Sequence, residues 1–519
     1  MKAQSICCFL IVFTLIFIGC KSTSTEPEPG PPPEDKSEFL LYSLYISLVP
    51  GGTEAVTVKS KDEDGNLESF SVTSDDPAVA TAAVDNDSNF TITAVAYGKT
   101  NLKIVDASGD EKNLPVQVYD PETLDTGELL IKFTTEFRWR WDDSGSGAFM
   151  DGSFGHPVPP DGFFALGSLA QRGYADPSGK EGVMVVQAKE GSDAIAHPVD
   201  YTKIWDDSGS GADDDGSIWR PVPPDGYVAM GLVAQRGYGK PSLQDVVCIR
   251  EDLTYEAEAG GTIWVDIGSG ADDDFECWPI IPPGGSAAHE NAYMYTGTFC
   301  AMRNYGHPDF AELPCMHVLN VTLPMLAKTD WRTYTPKLTG YDLPPEWTVP
   351  LMAKQMLIPC TMVNDLGLNL NARYGISPFY VLERQVVYKR MYHNINQTSV
   401  LQQAAYTKTA GVTRTQSETF KLETCVEISV NAGMTVDGGS MGGSCTVSMT
   451  FGYETMRSVS ELQEQSAETH VDAPPGKAVA LWQRYNHFVL KRHRGTELET
   501  ISAIDFGIWS FTEDQYPDE

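Results

Sequence analysis

The stretch Phe420–Tyr453 reads FKLETCVEISVNAGMTVDGGSMGGSCTVSMTFGY and alternates apolar with polar residues. A period of two is typical of a β-strand with one apolar and one polar face. The alternation runs from Phe420 to Val436, stops in the glycine-rich segment 437–444, and resumes as far as Tyr453. A usual strand has about 5–6 residues, and about 9–11 are enough to cross a bilayer. The stretch therefore predicts one long amphipathic β-hairpin.

An apolar face that turns outward and a polar face that turns inward are what a membrane-spanning hairpin needs. The alternative is a long hairpin in an ordinary soluble sandwich. In the membrane interpretation the inserting face consists of Phe420, Leu422, Val426, Ile428, Val430, Met434, Val436, Val447, Met449 and Phe451. The side chains predicted to line the pore are Lys421, Glu423 and Glu427. The alternation places Cys425 and Cys445 on opposite faces, so we predict no disulfide between them.

The N-terminus predicts export. Lys2 precedes an apolar run from Ile6 to Ile18 that is too short for a membrane span and indicates a signal peptide at 1–19. The residues Phe17-Ile-Gly-Cys20 resemble a bacterial lipobox, which implies acylation of Cys20; a plain secretory signal is the alternative. Residues 20–37 are rich in proline and predict a disordered tether. We expect a lipid-anchored protein of the outer membrane or cell surface, with release or transport on vesicles as further routes.

Composition limits the function. The chain has 519 residues, enough for several domains, and its 46 glycines and 33 prolines favour turns and short strands in an all-β, multi-domain protein. The formal net charge of −34 disfavours nucleic acid as a partner, because phosphate binding depends on Lys and Arg. We find no G-x-S-x-G, H-E-x-x-H or phosphate-loop motif and predict that the protein is not an enzyme.

Residues 38–120 carry short alternating strands separated by frequent turn signals, which predict a β-sandwich. Their segments include TSDDPAVAT at 73–81 and AVAYG at 94–98. These segments resemble the group 2 bacterial Ig-like domain. The resemblance implies a spacer on a cell-surface protein, with adhesion as the alternative role.

Residues 130–325 contain an internal repeat. WDDSGSGA occurs at 141–148 and 205–212, and WVDIGSGA occurs at 264–271. Three β units of this kind predict a three-fold, β-prism-like arrangement with each tryptophan in the core. The repeats resemble the vacuolar protein sorting-associated protein 62 family, which implies a fold and little chemistry.

The repeats also offer candidate binding groups. Two acidic loops suit Ca²⁺, although they lack the EF-hand spacing; the alternative is a solvated acidic turn, and no other cofactor is expected. Their residues are Asp213, Asp214, Asp215, Asp272, Asp273 and Asp274. Aromatic residues at the repeat tips either contact sugar or lipid or pack within turns: Phe163, Phe164, Trp219 and Tyr227. Cys277, Cys300 and Cys315 lie close in sequence, which favours a disulfide among them.

Residues 326–374 are rich in proline and predict a connector. Residues 375–519 have Ser/Thr-rich strands, the central hairpin and a Pro474-Pro-Gly476 turn before a closing strand. This order resembles the aerolysin-like family that includes epsilon-toxin and mosquitocidal toxins. The resemblance implies an elongated β-domain whose hairpin refolds, after oligomerisation on a target membrane, into a shared β-barrel pore.

The sequence thus predicts a surface lipoprotein related to pore-forming toxins. It would bind a lipid or glycan receptor on a target membrane, form a homo-oligomer and insert its hairpin. The alternative is a surface adhesin or glycan-binding lipoprotein without pore-forming activity.

Overall fold

The computed structural model describes residues 38–283, 291–306, 308, 313–329, 334–363, 365, 367–410, 426–428, 434–438, 443–445 and 465–518. These residues form β-strands almost throughout, as the sequence predicts. The α-helix of the described residues is α1 (Leu370–Ile376), and 3₁₀ turns occur at Glu251–Leu253 and Cys360–Met362. The prediction of an all-β, multi-domain chain is confirmed.

The N-terminal strands form a β-sandwich of two four-stranded sheets, ordered β1-β3-β6-β5 and β2-β8-β7-β4. The strands are β1 (Glu38–Leu41), β2 (Ile46–Leu48), β3 (Thr53–Lys61), β4 (Phe70–Ser74), β5 (Ala80–Asn86), β6 (Asn89–Ala94), β7 (Gly98–Asp106) and β8 (Glu111–Val118). Alternate residues of β6 and β7 point inward, so that Phe90, Ile92, Leu102 and Ile104 are fully buried between the sheets. The predicted sandwich is therefore present.

The three sequence repeats form three small hairpin sheets, ordered β11-β12-β14, β17-β18-β20 and β23-β25-β24, with β27 also paired to β25. Their strands are β11 (Phe137–Asp142), β12 (Gly152–Pro157), β14 (Leu169–Arg172), β17 (Asp200–Asp206), β18 (Gly216–Val222), β20 (Val233–Arg236), β23 (Glu258–Ala259), β24 (Trp264–Val265), β25 (Glu276–Ile281) and β27 (Phe299–Met302).

Three further sheets complete this domain, ordered β13-β15-β10-β9, β16-β21-β19 and β22-β28-β26. Their strands are β9 (Leu124–Asp125), β10 (Leu129–Thr134), β13 (Phe164–Ala165), β15 (Val183–Ala188), β16 (Ile195–Ala196), β19 (Tyr227–Val228), β21 (Cys248–Arg250), β22 (Thr254–Glu256), β26 (Asn291–Met294) and β28 (His317–Thr322). The arrangement is the three-fold, β-prism-like domain that the repeats predict.

The repeat tryptophans meet at the centre of the prism. Trp141, Trp205 and Trp264 are buried, and their ring centroids lie 5.4, 5.5 and 5.8 Å apart in edge-to-face pairs. Edge-to-face contact suits the quadrupoles of aromatic rings. The predicted core position of the tryptophans is therefore observed, and each ring contacts the other two.

Hydrogen bonds between repeats close the prism into a ring. Each indole N–H donates to a backbone carbonyl of another repeat: Trp141 to Asp214 at 2.8 Å, Trp205 to Asp273 at 2.9 Å and Trp264 to Met150 at 2.8 Å. Backbone N–H groups repeat this cycle: Asp213 donates to Ser144 at 2.7 Å, Asp272 to Ser208 at 2.8 Å and Phe149 to Ile267 at 2.7 Å. Because each repeat is joined to another by an indole hydrogen bond and by a backbone hydrogen bond, the three repeats form one unit.

The C-terminal module is built on a five-stranded antiparallel sheet, ordered β29-β30-β31-β37-β38. Its strands are β29 (Met325–Lys328), β30 (Leu351–Pro359), β31 (Phe379–Ile395), β37 (Ala478–Arg494) and β38 (Glu497–Tyr516). The prediction that residues 326–374 form a connector is wrong. Strand β30 lies within these residues and pairs with β31 in the sheet. Eight of the nine residues of β30 are buried, Lys354 and Gln355 among them, so the strand lacks the alternation of a half-exposed strand.

The near end of this sheet, at the β37–β38 turn, contacts the sandwich. A Cβ atom on Gly51 of the sandwich would lie 3.6 Å from Cγ2 of Thr496 in that turn. The Tyr119 hydroxyl lies 2.9 Å from Nε2 of His493, whose Nδ1 lies 3.0 Å from the Phe379 carbonyl oxygen. The sandwich therefore packs on the module.

Candidate functional site

The predicted hairpin belongs to a single excursion of the chain from the end of a two-stranded ribbon. The ribbon strands β32 (Gln402–Ala410) and β36 (Gln465–Ala473) run antiparallel, with Gln402 opposite Ala473 and Ala410 opposite Gln465. Because they are paired as far as Ala410 and Gln465, residues 411–464 depart from and return to the same point. We call Gln402 and Ala473 the root of the ribbon.

Three short strands of the excursion are described: β33 (Val426–Ile428), β34 (Met434–Gly438) and β35 (Gly443–Cys445). Gly438 lies opposite Gly443, which confirms the predicted reversal in segment 437–444. Ile428 also lies opposite Met434, so the chain reverses a second time between them. The prediction of one unbroken strand from Phe420 to Val436 is therefore wrong. Asn431 and Gly433, in the intervening sequence, are residue types that favour reversals.

The register nevertheless keeps the two predicted faces separate. Val426 lies opposite Val436, Ile428 opposite Met434, and Glu427 opposite Thr435. Residues directly opposite each other in an antiparallel pair share a face, so the apolar positions face together and Glu427 belongs to the other face. The remaining predicted site residues lie outside the described residues: Cys20, Phe420, Lys421, Leu422, Glu423, Val430, Val447, Met449 and Phe451. Cys425 also lies outside them.

Asn396 ties the root of the ribbon to the long sheet. Its side chain is fully buried, and its Nδ2 donates to the carbonyl oxygens of Val400 at 2.8 Å and Ala473 at 2.7 Å. Its backbone donates to Lys477 at 2.9 Å and accepts from Gly476 at 2.8 Å. One amide thus joins the loop before β32 to the turn after β36. The sequence interpretation did not single out Asn396, and the Pro474-Pro-Gly476 turn was the available signal.

The ribbon and the long sheet are nearly in register across this root. The β31–β37 ladder ends with Ile395 opposite Ala478, and the ribbon ladder starts with Gln402 opposite Ala473. Six residues (396–401) separate the ladders on one strand and four (474–477) on the other, a difference of two. Because side chains alternate with a period of two, an even offset keeps each face continuous. The ribbon can therefore extend the β31–β37 pair with its faces preserved.

The ribbon folds back on the sheet over a small apolar contact. Val471 and Ala473 of the ribbon are buried against Val479 and Leu481 of β37, and Tyr406 packs at the edge of the same cluster. The side chains of the ribbon that are described alternate between this contact and solvent. Removal of the ribbon from the sheet therefore uncovers this one cluster, which also includes Met391, Tyr392 and Phe511.

The long strands themselves are fixed by buried polar contacts. The carboxylate of buried Glu383 accepts hydrogen bonds from Lys491 at 2.8 Å, Gln355 at 2.9 Å and Gln385 at 2.8 Å. Buried charges that keep all their partners hold neighbouring strands in one arrangement, since breaking a single partner leaves an uncompensated charge. Glu383 thus joins β30, β31 and β37 through its partners Gln355, Gln385 and Lys491.

The aspartates predicted as a calcium site are not arranged as one. Asp214 pairs with Arg236 at 2.8 Å, Asp273 pairs with Arg303, and Asp215 accepts a hydrogen bond from Tyr238 at 3.1 Å. Asp213 and Asp272 each lie against another repeat, and Asp274 lies in the same loop as Asp272. In the part of the chain that the structure describes, no group of three or more His, Cys, Asp or Glu side chains that could hold a metal ion is present. These contacts favour the alternative of a solvated acidic turn.

The third repeat contains a motif that sequence reasoning missed. Copies one and two share the sequence AQRGY at 170–174 and 234–238, and the third copy is AMRNY at 301–305. Strand β27 pairs with β25 as β14 pairs with β12, so Arg303 takes the place of Arg172 and Arg236. Substitutions and a longer preceding loop conceal the third copy in the sequence.

The predicted aromatic tips mostly pack within the domain. Trp219 is buried, and the Tyr227 hydroxyl donates to the Asp193 carbonyl at 2.7 Å. Phe163 and Phe164 are half-buried, and the Lys132 ammonium lies 5.7 Å from the Phe163 ring centroid. These contacts favour the packing alternative.

The predicted disulfide among Cys277, Cys300 and Cys315 is not formed, and all three thiols are free and buried. In the β25–β27 pair Cys277 lies opposite Ala301 and Cys300 lies opposite Trp278, so Cys277 and Cys300 point to opposite faces. Burial raises the pKa of each of the three thiols. They behave as core residues.

Within the described residues, no helix is both long and apolar enough to cross a membrane. No curated protein matches the chain. Among solved structures, GNIP1Aa from Chromobacterium piscinae is 26% identical over 39% of this chain and 38% of its own, with a TM-score of 0.33. Cry35Ab1 is 15% identical over 76% of this chain and 91% of its own, with a TM-score of 0.32. Domains 4 and 5 of the S-layer protein SbsC are 28% identical over 16% of this chain and 51% of their own, with a TM-score of 0.15.

The chain thus spans well under two thirds of the length of GNIP1Aa and of the SbsC fragment. Residues 71–119, in the sandwich, match the family model described as pilus formation protein N terminal region. Residues 113–334, which hold the three repeats, match the family model described as vacuolar protein sorting-associated protein 62, in agreement with the resemblance that the repeats carry.

Proposed function

We propose that this protein oligomerises on a target membrane and inserts the hairpin within residues 411–464. The observation that carries the proposal is the register at the ribbon root. The β31–β37 ladder and the β32–β36 ladder differ by two residues, so the ribbon extends the long strands once it swings away from the sheet. The excursion at the end of the ribbon then projects beyond the module.

The composition of the ribbon supports this movement. Its strands read QQAAYTKTA and QSAETHVDA, which are small or polar residues apart from Tyr406 and Val471. Such strands tolerate both water and a new strand partner. Pairing between copies would satisfy the exposed edges of the ribbon, and membrane insertion requires that all backbone groups be paired.

The proposal includes the cellular setting that the N-terminus predicts. Acylation of Cys20 would anchor the protein to the outer membrane or cell surface, and the sandwich and the prism would stand between the anchor and the module. The receptor would be a lipid or a glycan of the target membrane, and the activity is not enzymatic. Release of the anchor or transport on vesicles would bring the module to its target.

The test is dye release from liposomes by the chain carrying Cys20→Ser, so that acylation does not contribute. The double variant Val426→Asp/Ile428→Asp places two carboxylates on the apolar face. Each charge costs about 2.5–3.5 kcal/mol inside a bilayer on insertion scales. We expect leakage to fall by about 100-fold or more.

The matched control is Thr435→Asp, which adds a carboxylate to the opposite face of the same strands and should leave leakage within a few-fold of the parent. Leakage that survives in the double variant would show that this hairpin is not the inserting element. Absence of leakage by the parent from all vesicles, together with binding to a glycan array, would favour the adhesin alternative.

A further inference from the structure

An exposed apolar cluster surrounds the root of the ribbon. Five residues of two loops and a strand end form it, and we call them the tip patch. Their exposed fractions are 45% for Tyr341, 65% for Leu343, 37% for Ile395, 63% for Val400 and 50% for Leu401. Single exposed apolar residues are ordinary on a protein surface, whereas a contiguous group marks a contact surface.

Several contacts place Tyr341, Ile395 and Val400 at one end of the long sheet, and Leu343 and Leu401 lie within two residues of Tyr341 and Val400 in the sequence. The Tyr341 hydroxyl donates to the Gly476 carbonyl at 3.1 Å, and its ring packs against Tyr516 at 5.2 Å between centroids. Tyr516 lies opposite Ala478, which lies opposite Ile395. The Val400 carbonyl is bound by Asn396, which follows Ile395 directly.

The tip patch lies at the far end of the long sheet. Strand β31 ends at Ile395 and β37 begins at Ala478, whereas β37 ends at the turn that contacts the sandwich through Thr496. The patch is therefore separated from the sandwich by the full length of β37, which has 17 residues. It forms the free end of the module and surrounds Gln402 and Ala473.

Several backbone groups of the tip are already paired. Asn396 donates to the Val400 and Ala473 carbonyls, and its Oδ1 accepts from the Thr398 N–H at 2.9 Å and the Thr398 hydroxyl at 2.6 Å. A loop that leaves water for a lipid interface must keep its polar backbone groups satisfied. Asn396 provides several of these bonds internally, and Val400 and Leu401 project from this hydrogen-bonded loop.

The charge of the tip points to a neutral surface. The segment 395–401 reads INQTSVL and contains no charged residue, and Lys477 and Asp342 on the neighbouring loops carry opposite charges. Asp514 and Asp518 flank Tyr516 at the same end of the sheet, so the described residues of the tip form no basic cluster that would favour an anionic surface. The net charge of the whole chain, −34, opposes approach to an anionic membrane. Aliphatic side chains beside a tyrosine are the composition found where proteins meet the boundary between headgroups and acyl chains.

We infer that the tip patch docks on an electrically neutral lipid surface and holds the root of the ribbon there. The inference rests on the proposed function, because the hairpin would then enter the bilayer at the place where the tip is bound. It adds a docking surface that is distinct from the hairpin itself.

The experiment is flotation of the Cys20→Ser chain with phosphatidylcholine vesicles. The variant Val400→Asp/Leu401→Asp changes two exposed side chains and should leave the fold intact. The two substitutions remove aliphatic surface that would be buried against the lipid, so we expect the partition coefficient to fall about tenfold or more. The matched control is Leu67→Asp/Val84→Asp on the sandwich, where the exposed fractions are 56% and 46%, and its partition coefficient should stay unchanged.

A polarity-sensitive fluorophore gives a second measurement. Attached through Val400→Cys, it should shift to shorter wavelength when vesicles are added, whereas the same fluorophore at Val84→Cys should not shift. Equal flotation of the two aspartate variants, or equal spectra at the two labelled positions, would overturn the inference. So would self-association in solution that the tip variant abolishes, because the patch would then be a protein interface.

The outcome for docking is separable from that for insertion. Vesicle binding that depends on the tip patch, without dye release, would support docking through the tip patch and contradict the proposed function. Dye release by the Val400→Asp/Leu401→Asp variant at the parent's level, with undiminished flotation, would support insertion of the hairpin and contradict docking through the tip patch.

Discussion

The centre of the prism depends on two glycines. A Cβ atom on Gly216 would lie 2.2 Å from the Trp141 ring, and one on Gly152 would lie 2.4 Å from the Trp264 ring. In the third repeat Phe275 occupies the position equivalent to Gly216. The Phe275 N–H donates to Asp266 at 2.9 Å, and the Gly216 N–H donates to Asp207 at 3.0 Å. The ring of Phe275 packs against Trp205 at 4.9 Å between centroids. The core is therefore asymmetric in composition although it is three-fold in backbone.

We expect Gly216→Ala to destabilise the prism by about 1–3 kcal/mol, because the added methyl group forces the tryptophan cluster apart. Guanidinium denaturation followed by tryptophan fluorescence measures the change. The matched control is Gly239→Ala, since no atom lies within 4 Å of its added Cβ and its φ is not positive. Its effect should stay within about 0.5 kcal/mol. Equal midpoints for the two variants would contradict this account of the core.

At this scale the repeats alone predict that each tryptophan is buried. They do not predict the hydrogen bond from Trp264 to Met150, because the acceptor is a backbone carbonyl and any residue type supplies one. The third AMRNY motif is visible in the sequence, but it becomes evident only when strand pairing aligns Arg303 with Arg236.

At the scale of the elements, alternation predicts strands well and predicts their ends poorly. A period of two assigns Val426, Ile428, Met434 and Val436 to one face, and the register agrees. The same period carries no information on where the chain reverses, so the turn between Ile428 and Met434 escapes it. The prediction also missed the strand LMAKQMLIP at 351–359, because this segment does not alternate. A strand that is covered on both faces lacks alternation, and its flanking prolines gave the impression of a connector.

The ribbon offers a direct test of movement. Val471 and Leu481 belong to one buried cluster across the ribbon and the sheet. We expect the variant Val471→Cys/Leu481→Cys, once oxidised, to hold the ribbon against the sheet and to lose dye release. Reduction with dithiothreitol should restore it. The control pair Gln403→Cys/Asp472→Cys joins two residues that lie opposite each other within the ribbon, and it should release dye in both states. Leakage by the oxidised Val471/Leu481 variant would contradict ribbon release.

At the scale of the whole molecule, sequence patterns predict the order of the domains but not how they meet. Tyr119 and His493 are far apart in the chain, and neither local sequence marks a contact. Their hydrogen bond forms because the link after the sandwich passes the near end of the long sheet. Nothing in a spacer-like Ig resemblance implies such packing. The sandwich therefore contacts the module directly at this end of the long sheet.

His493 is one of three buried histidines that make the free energy of unfolding depend on pH. Burial lowers the pKa of His156, His317 and His493 to about 4 in each case. His156 lies 3.1 Å from the Ser168 hydroxyl and His317 lies 3.2 Å from the Thr254 hydroxyl, both within the prism. An unfolded histidine titrates near pH 6.5, so the unfolded chain binds more protons than the folded chain between about pH 6.5 and pH 4.

We therefore expect the free energy of unfolding to be highest above about pH 6.5 and to fall as the pH drops toward 4. One pKa unit corresponds to about 1.4 kcal/mol, so each histidine contributes at most about 3.5 kcal/mol to this loss. Burial raises the pKa of Asp207 and Asp266, which acts in the opposite direction and offsets part of it. Thermal unfolding between pH 4 and pH 8 measures the slope. In His493→Gln the amide can still bond to Tyr119 and one titrating group is removed, so the contribution of these three histidines to the slope should decrease by about a third. An unchanged slope would mean that the contact between sandwich and module does not respond to protons, and that acid sensitivity resides in the prism alone.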